Sequence, residues 1–202
     1  MKPFIDFMLA HDIKRFVLLS ASSLPKGGPM MGAVHAYLED VAPEWSVLRP
    51  TWFMQNFSEQ QHLHTICEES CFYSATGDGK VPFIDVDDIA EVATQALICE
   101  QPFNRDMILT GPESLTYDQV AEQITHASGK HVKHHSLTER QLRTRFIESG
   151  MDDKYADILT AMDTAIANGS ENQLSHEVEK IIGRAPTSFS SFAVSVSDVW
   201  RK

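Results

Sequence analysis

Basic charge is scarce in this chain. Its 202 residues hold 17 Lys and Arg against 28 Asp and Glu, a formal net charge of −11. No cluster of positive side chains runs along it, so neither a nucleic-acid backbone nor an anionic membrane surface is an expected partner. Cysteine is equally sparse. Cys67, Cys71 and Cys99 are odd in number and lack the spacing of a disulfide framework, which points to reduced thiols and a cytoplasmic setting. Long apolar runs are missing, and no stretch reaches the length of a membrane span. The opening "MKPFIDFMLAHD" is interrupted by Asp6 and followed by no small-residue cleavage site, unlike a signal peptide.

Motifs for metal or nucleophilic chemistry are also wanting. "HVKHH" puts His131, Lys133 and His135 on one strand face and His134 on the other, while "HLH" at 62–64 and Cys67-x-x-x-Cys71 stand alone. No set of four ligands has a recognised spacing, so no metal is expected. "SASSL" is not the G-x-S-x-G of a nucleophile elbow, which leaves a hydrolase without support.

What is present reads as an α/β protein. Hydrophobic residues make up 43% of the chain, enough for a core. Pro3, Phe4, Phe7 and Met8 fit a first helix. "FVLLS" at 16–20 and "WSVLR" at 45–49 are apolar without alternation, as strands covered on both faces are, and a helix over 30–41 lies between them. Further on, "CFYSATGDGKVPFIDV" predicts strand pieces around a Gly77-Asp78-Gly79 hairpin turn. "VDDIAEVATQALI" predicts a helix capped by Asp87 or Asp88, and "DMILTG" another strand. Thr116 and Gln119 have capping-box spacing. "GKHVKHHSL" predicts a short strand, and from Thr138 the chain is mostly helical, with Gly150, Gly169 and Gly183 as stops. The alternation is that of a parallel sheet, where ligands sit at the carboxyl ends of strands. Both "SASS" and "PTWFMQNF" fall there. Ser20 and Ser22 could hydrogen-bond a ligand, and the large apolar surface of Trp52, Phe53, Met54 and Phe57 beside Asn56 either walls a pocket or seals a junction.

In order along the chain, "RFVLLSAS", "HAYLE", "SVLRPTWFMQNF", "GKVPFIDVDDIAEVATQAL", "ILTGPESLTYDQVAEQI" and "GRAPTSFSSFAVSVSDVW" resemble the NmrA-like atypical short-chain dehydrogenase/reductases, of the ergot-alkaloid (festuclavine and agroclavine dehydrogenase) type. The resemblance implies a partial Rossmann-type parallel sheet over 1–112, with pocket elements at 50–85, and a mostly helical substrate lobe over 113–202. It implies NADP or NAD as cofactor and hydride transfer to a small hydrophobic substrate, with a non-catalytic NmrA-like regulator as the alternative. Carried onto this chain, Ser20, Ala21, Ser22, His35, Pro50, Thr51, Trp52 and Phe53 would face the cofactor, and Phe53, Met54, Asn56 and Phe57 the substrate.

Two departures from that family stand out. The Gly-rich dinucleotide turn between a first strand and first helix is not in the sequence: Gly27, Gly28 and Gly32 lack its spacing. On the family pattern the chain is therefore expected to lack the amino-terminal part of the Rossmann domain, which leaves residues 16–20 as a sheet edge open to pairing in a homo-oligomer. The Tyr-x-x-x-Lys pair of short-chain dehydrogenases is also replaced. Met31 and His35 take those positions, which leaves His35 as the candidate proton donor.

Overall fold

The computed structural model describes residues 1–59 and 61–201. Along the chain run α1 (Lys2–Leu9), β1 (Arg15–Leu19), α2 (Met31–Val41), β2 (Glu44–Pro50), a 3-10 turn at Met54–Asn56, α3 (Leu63–Glu69) and β3 (Cys71–Ser74). There follow α4 (Val86–Ile98), β4 (Arg105–Leu109), α5 (Tyr117–Ser128), β5 (Lys133–Ser136) and α6 (Glu139–Glu148). The chain closes with α7 (Asp153–Ala167), α8 (Glu177–Ile182), α9 (Phe189–Ser195) and a 3-10 turn at Ser197–Trp200. The fold is α/β, with parallel strand pairing as the unalternating runs predict. No helix among the described residues is long and apolar enough to cross a membrane.

Two compact units interleave in the chain. The first comprises Met1–Thr51, Val86–Thr110 and Ser175–Pro186, and the second Trp52–Asp85, Gly111–Leu174 and Thr187–Lys202. The chain passes from unit to unit several times. That follows from topology, because α4 and β4 come late in sequence yet belong with the first sheet.

The first unit is built on a parallel sheet of order β1-β2-β4, in which Leu18 lies opposite Val47 and Val47 opposite Asp106. Val47 and Leu48 point to opposite faces, and both are fully buried, so the sheet is covered on each side. On one face Ile5, Val34 and Leu38 pack on Leu18 and Val47. α4 packs against β1 and β2. It starts at Val86, so Asp87 and Asp88 lie within its first turn and do not precede it as caps. Their charge still suits the helix amino end, and the buried Asp88 carboxylate meets Arg184 at 2.8 Å. Gly183 closes α8 in the left-handed region (φ 76°), as its place after the apolar stripe predicts.

The second unit has an aromatic core. Phe57, Phe72, Phe83, Tyr117, Phe189 and Trp200 are buried together, and the Trp200 indole N–H donates to the Phe57 carbonyl at 2.8 Å. β3 pairs in parallel with β5, Cys71 opposite Lys133. The expected hairpin around Gly77 and Gly79 is thus corrected. A turn does form there, with the Gly79 N–H donating to the Thr76 carbonyl at 2.9 Å. The chain beyond it moves away to make an antiparallel bridge between Val81 and Leu115, leaving the flank of β3 to β5. Thr116 and Gln119 form the predicted capping box on α5, and Thr138 with Gln141 forms a second on α6.

Candidate functional site

In the first unit, the carboxyl end of the sheet is organised by one arginine. Arg49, at the end of β2, donates to the Ser22 carbonyl at 2.8 Å and the Ala21 carbonyl at 3.4 Å, and pairs with Asp106 of β4 at 2.8 Å. Burial pushes the Asp106 carboxyl up, but the hydrogen bond and charge of Arg49 outweigh it and hold the group below the ordinary carboxylate range. The loop after β1 is thereby tied to two strands, and the Ser20 and Ser22 N–H groups extend the ladder to the Leu48 and Pro50 carbonyls. Ser20 Oγ is enclosed and has no hydrogen-bond partner among the described residues. Thr51 follows β2 in the same manner, its N–H donating to the Leu109 carbonyl at 3.0 Å. Ser20, Ala21, Ser22, Pro50 and Thr51 are thus brought to one end of one sheet.

His35 lies on α2, within reach of the Asp106 and Arg49 charges. It is 1% exposed on the sheet-facing side of α2, its ring 5.8 Å from that of Trp45 near the beginning of β2. Burial lowers its pKa and keeps the imidazole neutral, and its Nδ1 has no partner. Its Nδ1 is thus enclosed in packing, on the side of the ring away from any partner.

In the second unit the loop after β2 divides its residues between two tasks. Phe53 makes a parallel bridge with Ile84, and the Ile84 N–H donates to the Trp52 carbonyl. Trp52 is half-buried against the aromatic core. Met54 and Phe57, expected at the substrate, are fully buried in that core, with Phe57 ringed by Phe72, Phe83 and Phe189 at 5.3 to 5.6 Å. Their part is packing, because period and position in a 3-10 turn send them inward. Gln55 donates to Asp85 at 2.7 Å. Asn56 differs: it lines a cavity of about 770 Å³ whose walls include His62, Tyr73, Leu142, Arg145 and Phe146.

At this cavity Arg145 lies over the Tyr73 ring, 3.6 Å from its centroid, and reaches both Glu69 carboxylate oxygens at 3.0 and 3.1 Å. The Tyr73 hydroxyl donates to Glu69 at 2.7 Å. Its hydrogen bonds with Cys71 and Glu69 raise the Tyr73 pKa, so that the phenol stays protonated. His62 is buried and stacks on Phe57 at 4.9 Å. Burial, with His134 nearby, lowers its pKa to about 3, and the ring is neutral.

A further network escaped the sequence because its members are far apart in the chain. Asp118 accepts from His134 Nδ1 at 2.8 Å, and His134 Nε2 lies 2.8 Å from Ser74 Oγ. With a carboxylate fixing the proton on Nδ1, Nε2 accepts from the serine. Ser74 is 1% exposed and the His134 side chain is enclosed, so the chain of bonds ties β3 to β5 without offering a nucleophile to a substrate. Among the described residues no three His, Cys, Asp or Glu side chains gather as a metal site requires.

These features can be set beside known proteins. Residues 33–193 match the model of the NmrA-like family. Agroclavine dehydrogenase of Claviceps fusiformis is 44% identical over 200 residues, covering 98% of this chain and 69% of that protein. Festuclavine dehydrogenase of Aspergillus fumigatus is 42% identical over 202 residues, covering 98% and 70%. Among solved structures, the NADPH complex of an NADPH-dependent quinone oxidoreductase from Escherichia coli superposes with a TM-score of 0.81 at 24% identity, over 97% of this chain and 69% of that one. The chain belongs to the NmrA-like family, on its oxidoreductase side.

Proposed function

We propose that the chain serves hydride transfer between a nicotinamide dinucleotide, NADP or NAD, and a C=N, C=C or C=O bond of a small hydrophobic molecule. The observation that carries this is identity of 44% with a dehydrogenase across 98% of the chain. When bound, the nicotinamide supplies the hydride; the protein supplies position and exclusion of water. The residues present fit one end of that cofactor. Ser20 Oγ, enclosed and without a partner at the carboxyl end of β1, suits a hydrogen bond to the carboxamide or ribose. Arg49 acts on that end indirectly, by holding the Ala21 and Ser22 carbonyls. The pyrophosphate end finds no strand, Gly-rich turn and helix among the 202 residues. In the second unit Asn56 belongs to a cavity of mixed lining in which Leu142, Phe146, Met151 and Leu159 form an apolar wall, which suits the hydrophobic part of a substrate. His35 contributes by packing under the sheet.

The test is isotope transfer. NADPH deuterated at the transferring position, at millimolar concentration, is incubated with the chain and a panel of cyclic imines, enones and aromatic aldehydes. Mass spectrometry is expected to find deuterium in at least one product above a protein-free control. No incorporation into any acceptor class would remove the proposal.

A further inference from the structure

The second unit contains a buried imidazole with nothing to bond. His62 is 5% exposed, and neither ring nitrogen hydrogen-bonds another described residue. A polar ring in that position is costly when it stays unsatisfied. Its plane is fixed by the stack on Phe57 and by the edge of Tyr117, whose centroid lies 6.1 Å away. What it borders is the cavity. Asn56 borders it too. The Asn56 backbone carbonyl accepts the His62 N–H at 2.9 Å, which ties the two residues together, and the Asn56 carboxamide has no partner among the described residues. Two polar side chains without a partner among the described residues therefore meet one space.

The other walls say what else that space takes. Leu142, Phe146, Met151 and Leu159 line it as an apolar wall, while Gln61, His64 and Ser149, which also line it, are exposed to water and Thr65 is half-buried. The one lining arginine, Arg145, is neutralised by two contacts to Glu69 and laid over Tyr73, so it offers no free cation to an anionic ligand. Glu148 also lines the cavity, but it is exposed to water. A volume of about 770 Å³ holds a molecule of two to four fused rings.

We infer that this cavity binds a flat, largely apolar molecule carrying one neutral hydrogen-bonding group, and that His62 and Asn56 read that group. The site deepens the hydride-transfer proposal by giving its substrate a class, and rests on that proposal only for the word substrate. Binding itself needs no cofactor.

The experiment is fluorescence titration of the 202-residue chain with three bicyclic probes: 2-naphthol, naphthalene and the cation 2-naphthylmethylammonium. The naphthol is expected to bind about tenfold tighter than naphthalene, the contribution of one good hydrogen bond, and tighter than the cation. His62→Phe keeps the stack and removes that advantage, while His62→Gln retains part of it. Asn56→Leu also lowers it, and it carries the test if circular dichroism finds His62→Phe unfolded. Equal binding of naphthol and naphthalene by the wild-type chain, tighter binding of the cation, or an undiminished naphthol advantage in the folded variants would overturn the assignment. Loss of isotope transfer with naphthol binding intact would count against the activity alone; the reverse would count against this site alone.

Discussion

Asp163 shows what a single carboxylate does inside an apolar lobe. It sits on α7, 5% exposed, and its Oδ2 accepts the Ala75 N–H at 2.8 Å. Burial raises its pKa from 3.8 to about 6, and the one hydrogen bond opposes that without cancelling it. Between those values the folded chain binds a proton that the unfolded chain has released. Stability from this group is therefore fully present below pH 4 and is lost as pH rises through 6. Asp163→Asn keeps an acceptor for Ala75 and removes the charge. Urea unfolding from pH 3.5 to 8 should find the two proteins alike at the acid end. The Asn variant should be more stable by roughly 2–4 kcal/mol above pH 6.5. A difference that does not change with pH would mean the carboxyl titrates at its ordinary value. His62 follows the same physics with opposite sign, since burial there excludes the charged form at low pH.

Elements in this protein meet through close backbone approaches as well as side chains. A Cβ built on Gly111 would stand 1.9 Å from the Phe83 carbonyl oxygen, a separation no side chain tolerates. Gly111→Ala must push apart the segment after β4 and the segment carrying Phe83, which is part of the aromatic core. A loss of roughly 2–4 kcal/mol is expected by chemical denaturation, and a change within 0.5 kcal/mol would mean the contact yields freely. Much at this scale was legible in the sequence. Unbroken apolar runs marked β1 and β2 as buried parallel strands, and Thr116 with Gln119 marked the start of α5, because such signals are local. The β3–β5 pairing was not legible. Each strand has four residues, and Ser74 meets His134 across a separation of 60 positions. Gly77-Asp78-Gly79 has hairpin chemistry, but a turn residue specifies only the turn and not which strand pairs beyond it. At the site, the pattern put Ser20 and Thr51 at strand ends, where they lie, while spacing said nothing of the burial of His35. Helical register gives the face a residue is on, yet not how far along the strand it packs. His62 carried no signal because a lone histidine acquires meaning only from what encloses it.

At the scale of the whole chain, the acidic surface and the sequence content make different demands on a dinucleotide. A net charge of −11 repels the phosphates in the long range. No Gly-rich strand–helix turn is present among the 202 residues to gather the pyrophosphate on backbone N–H groups. The contact proposed above is to the nicotinamide end, from Ser20 at the carboxyl end of β1, whose Oγ has no partner among the described residues. The central claim is thus a division of labour within the cofactor, and calorimetric titration of the chain with NADPH and with reduced nicotinamide mononucleotide tests it most directly. The two are predicted to bind with affinities within about tenfold of each other, both in the millimolar range, because the adenosine half adds nothing. Micromolar binding of NADPH, roughly a hundredfold or more tighter than the mononucleotide, would contradict the account and place a pyrophosphate anchor in this chain.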